Sequence, residues 1–338
     1  MNRFDYVRPE SVADAVTVLA ASPDAKVLAG GTNLVDLMKY HVMAPSRLVD
    51  INRLPLTAID EDDDGGLRIG ALVSNTDLAW HPRVTKDFPL LSSAILAGAS
   101  PQLRNAATTG GNLLQRTRCY YFYDVSTPCN KRSPGSGCAA IGGINRIHAV
   151  LGASEACIAV HPSDMCVALA ALDASVEVEG PAGRRSIPFA GFHRLPGDAP
   201  DRDNVLGPDE LILAVYIPAF KVGPHYSYLK IRDRLSYAFA LVSVAAALSL
   251  EDGVIQDARL ALGGVAHKPW RDQDAEKLLV GREPSREAFA SAARHLLRNA
   301  KGQGQNDFKI ELAQRTVIRA LEQAKAGTPQ SQSDKNIR

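Results

Sequence analysis

No stretch of this 338-residue chain is apolar for long enough to cross a membrane. The longest apolar run, Ala238 to Leu250, falls short of the roughly 18–20 residues that a spanning helix needs. The first residues, Met1-Asn-Arg-Phe-Asp5, contain no apolar core and no twin arginine, so no export signal is expected on this chain. It is therefore expected in the cytoplasm, or in the periplasm if a signal-bearing partner carries it there folded. An excess of one charge is also missing. Thirty-eight Lys and Arg face 37 Asp and Glu, a formal net charge of +1, which excludes a global basic field for nucleic acid or anionic lipid. There is no Walker loop, no Gly-x-Gly-x-x-Gly fingerprint and no Gly-x-Ser-x-Gly elbow. Cysteine is absent from most of the chain. All five cysteines (Cys119, Cys129, Cys138, Cys157 and Cys166) fall in one stretch, an odd number that argues against a disulfide framework. That stretch is where chemistry is to be sought.

The rest of the chain, 46% apolar and 22% charged, has the balance of a soluble globular protein with room for two or three subdomains. Residues 11–22 read as an amphipathic helix capped by Ser11, Lys26–Ala29 as a brief strand, 34–38 as a helix and Arg47–Ile51 as a strand. Strands are further expected at 66–70, 175–179 and 210–218, and helices at 89–99 and from Met165. Residues 100–114 and 115–150 read as loop. Beyond residue 221 come three successive strands, at 225–232, 241–250 and 258–263. Helices near 272–280, 285–299 and 307–325 follow. This second half forms a separate α+β unit.

Lys26-Val-Leu-Ala-Gly-Gly-Thr-Asn-Leu34 sets two glycines between a strand and a helix. Glycine lets backbone amides approach an anion closely, and a helix start adds favourable partial charge. Taken alone, the segment reads equally as a plain strand–helix turn. Ala106-Ala-Thr-Thr-Gly-Gly-Asn-Leu-Leu114 repeats the chemistry, and two such loops can clamp one extended diphosphate.

The ordered pair resembles the FAD subunit of the molybdenum hydroxylases, the xanthine dehydrogenase and carbon monoxide dehydrogenase family, from about Phe4 to about Ala324. The resemblance implies an α+β chain. Residues 1–220 would form an FAD-binding domain of the vanillyl-alcohol oxidase and para-cresol methylhydroxylase type, with α/β subdomains at about 1–54 and 55–220. A small α+β C-terminal domain of the carbon monoxide dehydrogenase flavoprotein type would span 221–326, and 327–338 would be a disordered tail. It implies too that Lys26, Val27, Leu28, Ala29, Gly30, Gly31, Thr32, Asn33 and Leu34 hold the diphosphate. Thr108, Gly111 and Asn112 would hold flavin or diphosphate from the other side. Asp164 would contact ribityl or ribose hydroxyls, and Ile212 and Lys230 would line the isoalloxazine ring. From the residues alone, Asp164 also reads as a helix cap and Lys230 as a solvated strand lysine.

The first four cysteines follow the pattern C-x9-C-x8-C-x18-C, which is neither a zinc ribbon nor a ferredoxin spacing. On spacing, a structural zinc and an iron–sulfur cluster both remain open. Gly135, Gly137, Gly142 and Gly143 supply flexible backbone, and Arg116, Arg118, Lys131 and Arg132 offset the charge of a tetrathiolate. Gln115-Arg-Thr-Arg-Cys119, Pro128-Cys-Asn-Lys-Arg132 and Pro134-Gly-Ser-Gly-Cys-Ala-Ala140 resemble the bacterial aldehyde oxidoreductases with three different subunits. Their FAD subunit carries a [4Fe–4S] cluster in an insert, here about 115–158. That resemblance implies a cluster on Cys119, Cys129, Cys138 and a fourth thiol. Cys157 is preferred over Cys166, which lies within an Ala/Leu helix where thiols are usually inert. His148 and His161 read as structural.

The expected role is electron transfer within a complex. Substrate would be oxidised on a molybdenum-binding large subunit, and electrons would pass through a small [2Fe–2S] subunit to FAD and an external acceptor. No catalytic base stands out in this chain, and no nicotinamide fingerprint. A self-contained flavin oxidase with a structural metal loop, and the FAD subunit of a hydroxybenzoyl-CoA reductase-like enzyme, are the alternatives.

Overall fold

The computed structural model describes residues 1–220 and 223–332. Three sheets organise the chain. The first is small and parallel, order β1-β3-β2, from β1 (Asp5–Val7), β2 (Lys26–Leu28) and β3 (Arg47–Asp50). Helix Val12–Ala20 covers it. The Ser11 side chain accepts the Asp14 amide at 3.1 Å, and Ala15, Val16 and Leu19 form the buried stripe.

The second sheet is antiparallel, order β4-β5-β8-β6-β7. Its strands are β4 (Ile59–Glu61), β5 (Leu67–Gly70), β6 (Ser175–Gly180), β7 (Gly183–Pro188) and β8 (Leu211–Ile217). β6 alternates buried Val176 and Val178 with half-exposed glutamates, as a strand with one wet face must. The third sheet is also antiparallel, order β12-β11-β10-β9, from β9 (Tyr226–Ile231), β10 (Val242–Glu251), β11 (Val254–Gly263) and β12 (Trp270–Arg271). Asp252 and Gly253, both at positive φ, make the tight turn between β10 and β11.

The apolar run that cannot span a membrane ends in β10, which is covered on both faces. Val244, Ala246 and Leu248 pack under helices Arg286–Leu296 and Phe308–Ala326, whereas Ala245 and Ala247 join the core of the first half. Helices Pro89–Ala97 and Asp164–Ala171 contribute to that core and also pack on the third sheet, so the two halves of the chain share one interior. No described helix is long and apolar enough to cross a membrane.

Two expectations are corrected. Residues 100–114 are not loop but two short helices, Pro101–Ala106 and Thr109–Leu113. Their caps make them: the side chains of Ser100 and Thr108 accept the amides of Leu103 and Gly111, and Pro101 stands at the first helical position. One- and two-turn helices have too few residues to show a period. Helix Tyr120–Tyr123 likewise interrupts the loop that follows. The expected disordered tail begins too early, because Gln330 accepts the Lys230 amide at 3.2 Å and Gln332 donates to the Tyr228 carbonyl at 3.2 Å. β9 is an edge strand, and the tail satisfies its outward backbone groups. The last part of that tail, 333–338, lies outside the described residues.

Candidate cofactor-binding site

The first glycine loop leaves the carboxyl end of β2, where ligands of parallel α/β units gather. Lys26, Val27, Leu28 and Ala29 are its scaffold. Val27 and Ala29 pack on the first core, and Asn52 donates to the Ala29 carbonyl at 3.1 Å. Gly30 is required by contact: a Cβ there would lie 1.7 Å from the Ala106 carbonyl oxygen, at the start of the second glycine loop. The two loops therefore touch. Gly31 has φ +71°, a left-handed conformation that only glycine adopts without strain. Thr32 faces a large cleft. Asn33 accepts the Arg116 amide through Oδ1 at 3.0 Å, while its buried Nδ2 has no partner, a donor available to an anion. Leu34 begins the helix Leu34–Lys39.

The second loop is held from behind. Thr109 donates to the Val73 carbonyl at 3.0 Å, and Gly110 lies against Ala71. Thr108 caps the short helix, which turns Gly111 and Asn112 into the cleft. Asn112 Oδ1 accepts from Gln115 at 2.9 Å and from Ser163 at 2.5 Å, linking this loop to helix Asp164–Ala171.

That helix brings the carboxylate. Ser163 caps it, so Asp164 is its first residue rather than its cap. Asp164 accepts the Tyr228 hydroxyl through Oδ1 at 2.7 Å and pairs with Lys230 Nζ through Oδ2 at 2.7 Å. Lys230 is only 4% exposed and also donates to the Ala97 carbonyl at 3.1 Å. The reading of Lys230 as a solvated strand lysine fails, because β9 turns it inward against helix Pro89–Ala97. Arg232 donates to the Ala97 carbonyl at 3.1 Å, and the exposed Asp233 and Arg234 line the cleft.

The cleft so formed has a volume of about 800 Å³, within the range of cofactor sites. Of the expected flavin residues, Thr32, Gly111, Asn112, Asp164 and Lys230 line it, whereas residues 26–31, Asn33, Leu34 and Thr108 stand behind its lining. Ile212 does not line it either: it is buried in β8 within the core of the first half. Sequence reasoning missed Asn75, Arg104 and Gln115, and also Arg118, Tyr237 and Phe239, all of which line the cleft. The Arg118 guanidinium stacks on Phe239 at 5.1 Å and bonds to the Arg116 carbonyl and Gln115. Asn75 and Arg104 lie in short helices and the others in irregular segments, where no periodicity marks them. The cleft's size, its polar side chains and the basic residues Arg104, Arg118, Lys230 and Arg234 fit a flavin dinucleotide.

A second, smaller cavity lies beside it. Cys119, Cys129, Cys138 and Cys157 all line this cavity, and Cys166 does not. Cys129 and Cys138 face each other across an isolated bridge, and the Ala159 amide donates to Cys157 Sγ at 3.4 Å. Burial pushes the thiols of Cys119 and Cys157 up to about 12 and about 11, so ligation there requires a positive centre to draw off the protons. Tetrahedral zinc–thiolate geometry sets sulfurs about 3.8 Å apart. Among the described residues, no three of these cysteines bring their sulfurs within 4.8 Å of one another. His148 Nε2 lies 3.1 Å from Cys119 Sγ, and burial lowers the imidazole to about 4, keeping it neutral. Lys131, beside Cys129, is buried and pairs with Asp203, which also binds Arg116 at 2.7 Å.

One segment walls both cavities. Arg118 and Tyr120 line the large cleft, whereas Thr117 and Cys119 line the cysteine cavity.

This pairing of a flavin-type cleft with the shared α+β core defines a flavoprotein subunit. The model of the FAD binding domain in molybdopterin dehydrogenase matches residues 2–220, and that of the carbon monoxide dehydrogenase flavoprotein C-terminal domain matches 226–324. The chain belongs to the FAD-binding, medium-subunit family of the molybdenum hydroxylases. It is 53% identical to the aldehyde oxidoreductase FAD-binding subunit PaoB of Escherichia coli (strain K12), over 96% of this chain and 99% of that one. It is 28% identical to the carbon monoxide dehydrogenase medium chain of Hydrogenophaga pseudoflava, over 95% and 97%. Among solved structures, carbon monoxide dehydrogenase from that organism superposes with a TM-score of 0.76 at 30% identity, covering 96% of this chain and 98% of that one. Quinoline 2-oxidoreductase from Pseudomonas putida 86 follows, with a TM-score of 0.74 at 26% identity, covering 97% and 98%.

Proposed function

We propose that this chain is the FAD- and [4Fe–4S]-binding electron-transfer subunit of a molybdenum-containing aldehyde oxidoreductase. It would work with a molybdenum-binding large subunit and a small [2Fe–2S] subunit, and deliver electrons to an external acceptor. FAD supplies the exchange between one- and two-electron carriers, which no protein side chain provides. This chain's own residues bind and orient. Gly30 and Gly31 let backbone amides reach the diphosphate, Asn33 and Thr32 donate to it, and Gly111 and Asn112 close the opposite side. Asp164 fixes Lys230, whose ammonium offsets negative charge at the cleft. Cys119, Cys129, Cys138 and Cys157 would ligate the cluster, with Lys131 and Arg116 balancing its charge.

The observation that carries the reading is the shared wall at residues 117–120, which sets the cysteine cavity against the flavin cleft. Adjacency is what a relay needs and what a purely structural metal loop does not. The 53% identity to an aldehyde oxidoreductase subunit supports the substrate class.

Replacing Cys119, Cys129, Cys138 or Cys157 by Ser is expected to remove iron and the broad visible absorbance, while Cys166→Ser keeps both. Zinc in place of iron after anaerobic purification would sink the cluster assignment. The purified single chain is expected to take electrons from dithionite yet leave aldehydes untouched until its partner subunits are added. Aldehyde turnover by the chain alone would restore the autonomous oxidase.

A further inference from the structure

Three metal-binding side chains converge outside the cysteine loop, and one of them, His161, also lines the large cleft. His161 precedes helix Asp164–Ala171, Cys166 lies in its first turn, and His193 follows the short helix Phe189–Phe192. Their exposures are 9%, 0% and 4%. The two imidazole rings lie 4.3 Å apart, centroid to centroid. One ligand atom from each of the three residues falls within 4.8 Å of the others.

Tautomer chemistry sharpens the case. His193 Nε2 is 2.9 Å from the Leu113 carbonyl, which can only accept, so Nε2 carries the proton and Nδ1 keeps its lone pair. That Nδ1 is buried with no partner, and so is Nε2 of His161. Two unsatisfied buried nitrogens, on residues that cluster with one thiol, call for a common occupant. A backbone carbonyl on the far nitrogen is also how metal-binding histidines are oriented. Phe189 and Phe192 pack on His193, at centroid distances of 5.4 and 4.8 Å, and give the ring an apolar, rigid setting.

We propose that His161, Cys166 and His193 bind a single zinc ion, distinct from any group held by the four loop cysteines. Two imidazoles and a thiolate are borderline-soft donors that suit zinc, and with no carboxylate oxygen in the set the site does not suit magnesium or calcium. On binding, the Cys166 S–H bond breaks, the sulfur bonds to zinc and the proton leaves to solvent. The ion ties the segment after β7 to the first turn of helix Asp164–Ala171. It thereby fixes Ser163 and Asp164, the residues which that turn presents to the cleft.

The test is elemental analysis and zinc K-edge absorption on the full chain as purified. The expected result is one zinc per chain in addition to iron, with one sulfur neighbour at about 2.3 Å and two nitrogens at about 2.0–2.1 Å. Cys166→Ser and His193→Gln should each lose the zinc and keep iron and FAD. A shell of four sulfurs would put the zinc in the cysteine loop and overturn the proposal. So would zinc far below one per chain, the result expected if water fills the space, or zinc retained in both variants. The absorption spectrum of the unaltered chain decides even if the variants fail to fold. Iron content reports separately on the cluster.

Discussion

Single residues decide whether the flavin cleft exists at all. Gly31 stands at φ +71°, and a side chain there would also meet Val35 Cγ2 at 3.1 Å and Leu28 Cδ1 at 3.4 Å. Gly31→Val is expected to strain the loop by about 1–2 kcal/mol and to lower FAD content measurably. Full flavin occupancy in that variant would take the loop out of the site. The flavin itself is expected to be non-covalent, since no His, Cys or Tyr lies in either glycine loop. Acid precipitation that left the colour on the protein would refute this. Asp164→Asn tests the buried pair. It strips Lys230 of its only ion-pair partner among the described residues, and a buried charge left uncompensated costs about 3–5 kcal/mol. A thermal midpoint unchanged from that of the parent chain would show that the pair carries no such burden.

At the scale of elements, the cysteine insert is anchored to the C-terminal domain by several contacts, among them those of Asn145, Asn306 and Lys309. Lys309 opens helix Phe308–Ala326 and donates to the carbonyls of Ile147 at 3.4 Å, His148 at 2.8 Å and Gly264 at 2.6 Å. Burial lowers its ammonium to about 7. Lys309→Met would keep the volume and leave buried carbonyls unpaired, a loss of about 2 kcal/mol or more. Chemical denaturation should register that loss. Iron content should fall with it if the helix steadies the insert, whereas denaturation equal to wild type would mean that water replaces the ammonium. The sharing of β10 between two cores explains why the halves are expected to unfold as one unit.

The molecule as a whole should be acid-sensitive. Burial depresses His148 and His267 to about 4, below the ordinary histidine value near 6.5. A base with a lowered folded value binds its proton less readily in the fold than in the unfolded chain. Stability is then full above pH 6.5 and declines as pH falls towards 4, by up to about 1.4 kcal/mol per pH unit for each histidine. Melting curves at pH 7.5, 6 and 5 would show the decline. A flat profile would mean that these rings are not held neutral.

The amino-acid sequence by itself determined the long elements and, through the resemblance its paired glycine loops carry, the FAD-binding family. Repeated apolar periods specify the helices near 89–97, 286–296 and 308–326, and alternation or apolar runs specify β6, β8 and β10, because these patterns are set by local geometry. The paired glycine loops and the clustered cysteines stood out as short stretches of unusual residue type, although one loop alone also reads as a plain turn and the cysteine spacing left zinc and iron–sulfur both open. Tertiary structure alone decided what meets what. That Gly30 touches Ala106, that Lys230 turns inward to Asp164, and that Ile212 lies in the core depend on contacts between residues far apart in the chain. The irregular residues Arg118, Tyr237 and Phe239 became part of the cleft only when separate loops closed over it. No local pattern encodes such closure, because it is the packing of sheets and helices, not the propensity of the loop, that brings the loops together.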